Sequence, residues 1–348
     1  MNTRDRIRQI LAFQPVDRMP ALEWGPWWDK TLTRWRGEGL DSRLRDLRWI
    51  RTEQPLTAVE GEVGDALGLD PFRVLWLSAR RPGCPAPTDD NAGLIRTRED
   101  YLRLKPWLYP EPAFDPAFLV ALGAAQRREG MALWMWIEGF FWVPRILFGI
   151  EPHLYAFYDQ AGLMAEINAD LLAWYERVLP PLFAICTPDI LLVAEDLSYN
   201  HGPMLSKASF DQALAPYYRP LVKLLKAHGI CPLMDSDGDI TSIIPWLQEV
   251  GIEGLGPLER MAGVDVVAIR RHYPEFRMIG GFDKMVMSRG EAAMREEFER
   301  LLPVMASGGY LLTTDHQTPP EVSLADYRRF RHLFRTCIAP TGLRLNRN

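Results

Sequence analysis

The sequence predicts an α/β protein of the (β/α)8 TIM barrel class, and three observations carry that prediction. Short segments that are apolar on both faces, such as WMWI at 134–137, ILLVA at 190–194 and YLLTT at 310–314, alternate with helical stretches. Strands of that kind belong to parallel sheets covered by helices. Their tally reaches about eight, which suits a closed barrel better than an open sheet. Neither GxGxxG nor GxxxxGK[ST] follows any strand, so a nucleotide-binding open sheet loses its main support. The 348 residues are therefore read as one barrel domain over 1–348, with residues 60–100 as an inserted hairpin region.

The elements follow in order. Thr3 to Phe13 reads as a helix with Ile7, Ile10 and Leu11 on one face, stopped by Pro15. Met19 to Glu23 is the expected first strand. Between Phe72–Leu77 and Leu94–Thr97 lies the turn-rich GCPAPTDDNAG, which predicts a β-hairpin insertion. One barrel strand before residue 110 is left unplaced. Beyond it the alternation is regular: strands at Ala132–Ile137, Ile190–Ala194, Ile230–Met234, Gly254–Leu258, Arg277–Ile279 and Tyr310–Thr313, each followed by a helical stretch, the last at Leu324–Phe334.

Composition narrows the function. With 47% hydrophobic and 24% charged residues the chain is globular, and 40 Lys and Arg against 45 Asp and Glu leave −5, with no basic footprint for nucleic acid. The start MNTRDRIRQI is charged, and no apolar run approaches the roughly 20 residues that span a bilayer, so a cytoplasmic protein is expected. Cys84, Cys186, Cys231 and Cys337 show no C-x-x-C spacing, which predicts reduced thiols and no cysteine-only zinc site.

In a (β/α) barrel the chemistry lies at the C-terminal strand ends. Here those places hold Glu23, Glu138, Glu195 with Asp196, Asp235 with Asp237, Glu259, Asp283 with Lys284, and Asp315 with His316. Such a set manages protons or a metal. His316 is the histidine that the alternation puts at a strand end, with His201 in a loop as a weaker candidate, while the others fall on helices. The expected catalytic groups are His316, Glu195, Glu259 and Asp283. Asp235, Asp237 and His316 are the expected metal ligands, two carboxylates two apart and an imidazole. D-x-D also occurs in ordinary loops, and Asp196 is equally well explained by a loop hydrogen bond. Asp239 and the Ser323–Asp326 pair read as helix caps. Glu23, Trp24, Trp27, Trp28, Glu138 and Trp142 are the expected substrate-binding residues, since indoles near strand ends can wall a pocket for a flat or cationic ligand as well as fill a core.

Six segments extend this reading: RDRIRQILAFQPVDRMP, LLVAEDLSYNHGPMLSKASFDQALAPYYRPLVKLLKAHG, MDSDGDI, GIEGLGPLE, IGGFDK and TTDHQTPPEVSLADYRRF. In combination they resemble the uroporphyrinogen decarboxylase superfamily, which also contains the corrinoid-dependent methyltransferases. The resemblance implies a (β/α)8 barrel. True decarboxylases carry an Arg-rich segment after the first strand that binds the porphyrinogen carboxylates, and here that place reads LEWGPWWDK, which disfavours such a substrate.

Methyltransferases of the superfamily commonly bind zinc through His-x-Cys and a further Cys before a Pro-Pro turn. Aligned on MDSDGDI and DHQTPP, those places hold Asp235, Asp237 and His316, a harder donor set for Zn or another divalent metal. The resemblance thus implies transfer of a methyl group from a small methoxy, methylamine or quaternary ammonium substrate to a corrinoid (cobalamin). No D-x-H-x-x-G motif is present, so that cofactor is expected on a partner protein. A homodimer is left open. The alternatives are a cofactor-independent decarboxylase and a catalytically silent binding barrel.

Overall fold

The computed structural model describes residues 1–46, 49–51 and 62–338. Eight strands form one sheet in chain order: β1 (Trp49–Arg51), β2 (Phe72–Leu77), β3 (Ala132–Glu138), β4 (Ile190–Ala194), β5 (Pro232–Asp235), β6 (Gly254–Gly256), β7 (Arg277–Phe282) and β8 (Tyr310–Thr314). Every neighbouring pair is parallel. The reason lies in the side chains: β3, β4 and β8 are buried at every position, so each strand needs cover on both faces, which the intervening helices provide. Those helices begin and end where local chemistry dictates. In Pro116–Glu129, Asp115 accepts the Phe118 N–H at 2.9 Å, Pro116 opens the first turn, and Gly130 at φ +63° ends it.

The N-terminal third departs from the expected pattern. Met19–Glu23 forms no ladder. The Asp70 N–H donates to the Ala21 carbonyl at 2.9 Å and ties it beside β2, and the Asp70 carboxylate takes both the Ala21 N–H and Arg18. At its far end the Glu23 carboxylate accepts from Thr314, the last residue of β8. This segment therefore spans from the start of β2 to the end of β8, and among the described residues no ladder joins β8 directly to β1.

The expected hairpin is also corrected. Phe72–Leu77 pairs in parallel with β1 and β3, and Leu94–Thr97 is not a strand. FRVLWL is buried at all positions but one, which a hairpin on the surface could not satisfy. The 94–95 loop instead donates two backbone N–H groups to the Leu147 carbonyl, at the end of the helix Trp142–Phe148. Residues 60 and 61 of the expected insertion lie outside the described residues.

At the N-terminal ends of the strands the helix Thr3–Leu11 is bound by Gly309 N–H to the Ile10 carbonyl at 2.9 Å and by Arg277 Nε to the Leu11 carbonyl at 2.8 Å. Cys84, Cys186 and Cys231 are free thiols, and burial pushes Cys186 up to about 11 and Cys231 up to about 12. The Cys337 side chain lies outside the described residues. No helix among them is long and apolar enough to cross a membrane.

Candidate active site

The C-terminal strand ends hold one connected group of acids. β5 ends at Asp235, whose Oδ2 accepts the Trp136 Nε1–H from β3 at 2.7 Å. Two residues on, Asp237 faces His316, which follows β8, with Nε2 to Oδ2 at 3.4 Å. Glu259, after β6, accepts the Gly238 N–H at 2.9 Å. Asp196, after β4 and held at φ +52°, pairs with Arg145 at 2.8 Å. Donor atoms of Asp237, Glu259 and His316 lie within 4.8 Å of one another, and so do those of Asp196, Asp235 and Asp237. Asp237 thus joins two sets.

Mutual repulsion and burial shape the titration of these groups. Burial raises the Asp235 carboxyl well above the carboxylate range, and Asp237 and Asp196 push it further. Asp196 and Glu259 are raised by burial and then by Asp237, although Arg145 opposes this at Asp196. Burial alone would lower His316, but its bond to Asp237, with the Asp237 and Glu259 charges, outweighs that and raises it. The aromatic neighbours are indoles: Trp136 stacks with Trp76 at 6.3 Å, Trp76 meets Trp142 edgewise at 6.2 Å, and the Arg145 guanidinium lies 5.2 Å from the Trp142 ring.

The structure thus gathers His316, Asp237, Glu259 and Asp235 of the expected residues, but with Glu259 in place of Asp235 as third neighbour of His316. Five other acids bond to the scaffold. Glu195 is fully buried and accepts the Phe140, Phe141 and Trp142 N–H groups at 2.7, 2.8 and 2.9 Å, plus the Tyr218 hydroxyl. It anchors the first turn of the helix that carries Trp142 and Arg145, whose orphan N–H groups need an acceptor. Glu138 is likewise buried, bonded to Trp76 Nε1, the Ser78 hydroxyl and the Ala79 N–H. Glu23 accepts from Thr314 and Tyr327. Asp283 caps the turn after β7 through the Met285 N–H. Asp315 is buried against Lys284 at 3.2 Å.

The expected indole wall is also revised. Trp24 is 5% exposed and packs edgewise on Trp134 and on Trp136, the indole bonded to Asp235. Trp27 is buried against Trp35 and Tyr327, and Trp28 is 51% exposed. Trp136 and Arg145 were not among the expected binding residues. The signal for Arg145 was present, a lone basic residue in the apolar run FFWVPRILF.

Gly139 offers a check on the Glu195 anchor, because a Cβ there would run into the Glu195 carboxylate. Gly139→Ala is expected to destabilise the fold by about 1–3 kcal/mol, as overpacking does, measured by urea unfolding. An unchanged midpoint would remove the anchor from the account.

Residues 188–337 match the family model described as uroporphyrinogen decarboxylase (URO-D). No curated protein matches the chain. Among solved structures, a methyltransferase from Methanosarcina mazei is similar at 15% identity and TM-score 0.54, over 96% of this chain and 99% of that one. The YdhT protein from Bacillus subtilis aligns at 9% identity and TM-score 0.46, over 97% and 88%. A 3-keto-D-glucoside 4-epimerase from E. coli aligns at 13% and 0.38, over 69% and 94%. At 15% identity the likeness to the methyltransferase is one of fold. The segments LLVAEDLSYNHG, MDSDGDI, IGGFDK and TTDHQTPP, which supply Asp196, Asp235, Asp237 and His316, all fall within the matched region. The match to the uroporphyrinogen decarboxylase family model thus spans residues 188–337, which include β4 to β8, and the all-parallel β/α sheet agrees with it.

Proposed function

We propose that the chain takes a methyl group from a small cationic donor, a methylamine or quaternary ammonium compound, and delivers it to a corrinoid carried on a partner protein, in a (β/α) barrel that the Met19–Glu23 segment closes. The observation that carries this reading is the acid group itself, Asp196, Asp235, Asp237 and Glu259, with the Trp136 indole bonded to Asp235 and the Trp142 ring against Arg145, the partner of Asp196. Half-buried carboxylates that repel one another are stabilised by a cation, and indole faces add attraction for one. A neutral methoxy compound gains neither, and a polycarboxylate is repelled.

The chain's own groups then have distinct tasks. Asp196 and Asp235 hold the positive nitrogen, and Trp136 and Trp142 bound its methyl groups. His316, kept protonated by Asp237 and Glu259, gives its Nε2 proton to the amine nitrogen as the N–CH3 bond breaks and the bonding pair returns to nitrogen. The corrinoid supplies the nucleophile for the methyl group. Asp237, Glu259 and His316 also fit a divalent metal such as Zn, two oxygens and one nitrogen within 4.8 Å of one another. Such an ion would act there as a Lewis acid toward the leaving atom.

Charge selectivity tests this reading. Calorimetry should show choline binding at least ~10-fold more tightly than its neutral isostere 3,3-dimethyl-1-butanol, the preference expected of a partly desolvated cation–π site. Trp142→Ala should weaken choline binding and also lower stability by about 1–3 kcal/mol, because the partly buried ring packs against the core. Equal affinity for the two ligands would sink the cationic reading. Turnover of a carboxylated substrate by the purified chain alone would favour the decarboxylase instead.

A further inference from the structure

The opposite face of the sheet carries a second recess, unrelated to the acid group. It encloses about 600 Å³ between the end of the helix Thr3–Leu11, the loops before β4 and β5, and the start of β7. Its charge is inverted. Arg4 and Arg8, one helical turn apart, both converge on Asp189, Arg4 Nε at 3.0 Å and Arg8 Nε at 2.6 Å. The Asp189 carboxylate is fully buried and also takes the Leu133 N–H and the Gln126 amide. One carboxylate therefore serves two guanidinium groups. Each uses only Nε for this, and among the described residues neither makes a hydrogen bond through its terminal Nη atoms.

The other wall repeats the imbalance. Arg277 shares Glu253 with Lys226, at 2.9 and 2.7 Å. His228 donates its Nδ1–H to the Leu224 carbonyl, so its Nε2 can donate to a phosphate oxygen only in the imidazolium form. The Cys231 thiol in this wall is pushed up to about 12 by burial, so it adds no negative charge near neutral pH. Three permanent cations, Arg4, Arg8 and Arg277, thus line one concavity with a single carboxylate, Asp189, a geometry that focuses positive potential inside it.

We propose that this recess binds a small multivalent phosphate, a free diphosphate or the diphosphate of a nucleotide, with Arg4 and Arg8 on one side and Arg277 and His228 on the other. Guanidinium forks match phosphate oxygens in pairs, and free Nη donors held in place by Asp189 are arranged before the ligand arrives. The proposal does not depend on the methyl-transfer reading, since it uses none of those residues.

Titration calorimetry on the full chain tests it, with inorganic pyrophosphate and ADP as separate ligands and sodium chloride at matched ionic strength as background. Saturable binding of either ligand near one equivalent is expected, and Arg8→Gln should weaken it at least ~10-fold, the loss of one charge-assisted contact. Arg8 is half exposed, so that variant keeps its fold. Arg4→Gln, read beside it, should weaken binding as well. Tighter binding of ADP would mean that the recess takes the nucleoside too, and of pyrophosphate that it takes the phosphates alone. No saturable binding of either, or an affinity unchanged in both variants, overturns the proposal.

Discussion

Replacing His316 by alanine is expected to lower methyl transfer to the corrinoid partner by about 10²–10⁴-fold, the usual worth of a positioned general acid, while the fold stays intact. The residue is partly exposed beside Asp237, and no packing depends on it as the scaffold depends on Glu195. The pH dependence has a definite sign. His316 is raised above 6.5 because Asp237 and Glu259 outweigh its burial. As a general acid it is active when protonated, so the rate falls as pH rises through that raised value. Its stabilising contact with Asp237 is fully present below pH 6.5 and is lost over the same rise. A metal-ligand role reads differently: elemental analysis of the wild type would give about one equivalent of metal, and His316→Ala would lose metal and activity together. An active, metal-free His316→Ala variant would remove His316 from the chemistry and shift attention to Glu259.

Glu195→Ala should produce the largest loss of stability, about 3–5 kcal/mol, the range seen when one partner of a buried charged network is removed. Three backbone N–H groups and the Tyr218 hydroxyl would lose their acceptor in a site without solvent. Glu195→Gln should cost less, because one oxygen remains. Urea unfolding with an unchanged m-value checks both. Burial pushes the Glu195 carboxyl up to about 7 against the four hydrogen bonds that lower it. For an acid raised in the folded state, stability is greatest below its unfolded value of 4.5 and falls as pH climbs to about 7. The Gln variant should lack that part of the pH dependence. A Glu195→Gln protein of normal stability but no activity would assign Glu195 to the chemistry and not to the scaffold.

What the sequence made legible, and what it did not, follows from what strand periodicity encodes. The apolar runs placed β3, β4, β5, β6, β7 and β8 within a few residues, and with them the positions of Asp235, Asp237, Glu259 and His316. Periodicity does not say whether an acid after a strand faces the cavity or turns to the next helix. Glu195, Glu138 and Asp283 occupy the same kind of position as Glu259, yet they accept backbone N–H groups. Glu259 does both, which is why position alone cannot separate the roles.

The N-terminal third was harder to read because its segments are held by side chains. Ala21 is fixed by Asp70, and that pairing lies 49 residues away in the chain. The parallel partners of Phe72–Leu77 are equally nonlocal. The indoles misled for a simpler reason. Trp24 and Trp27 are large enough to fill the core that a short strand leaves open, and they do so.

The central claim is methyl transfer from a cationic donor to cobalt. The direct measurement mixes the chain with a reduced corrinoid protein and tetramethylammonium and follows the cobalt absorption spectrum. The account predicts conversion of the Co(I) spectrum to that of methylcobalt, at a rate that falls with His316→Ala and does not respond to a methoxy-aromatic in place of the ammonium donor. A Co(I) spectrum unchanged by tetramethylammonium, methylamines and betaines alike, or converted only by the methoxy-aromatic, would contradict it.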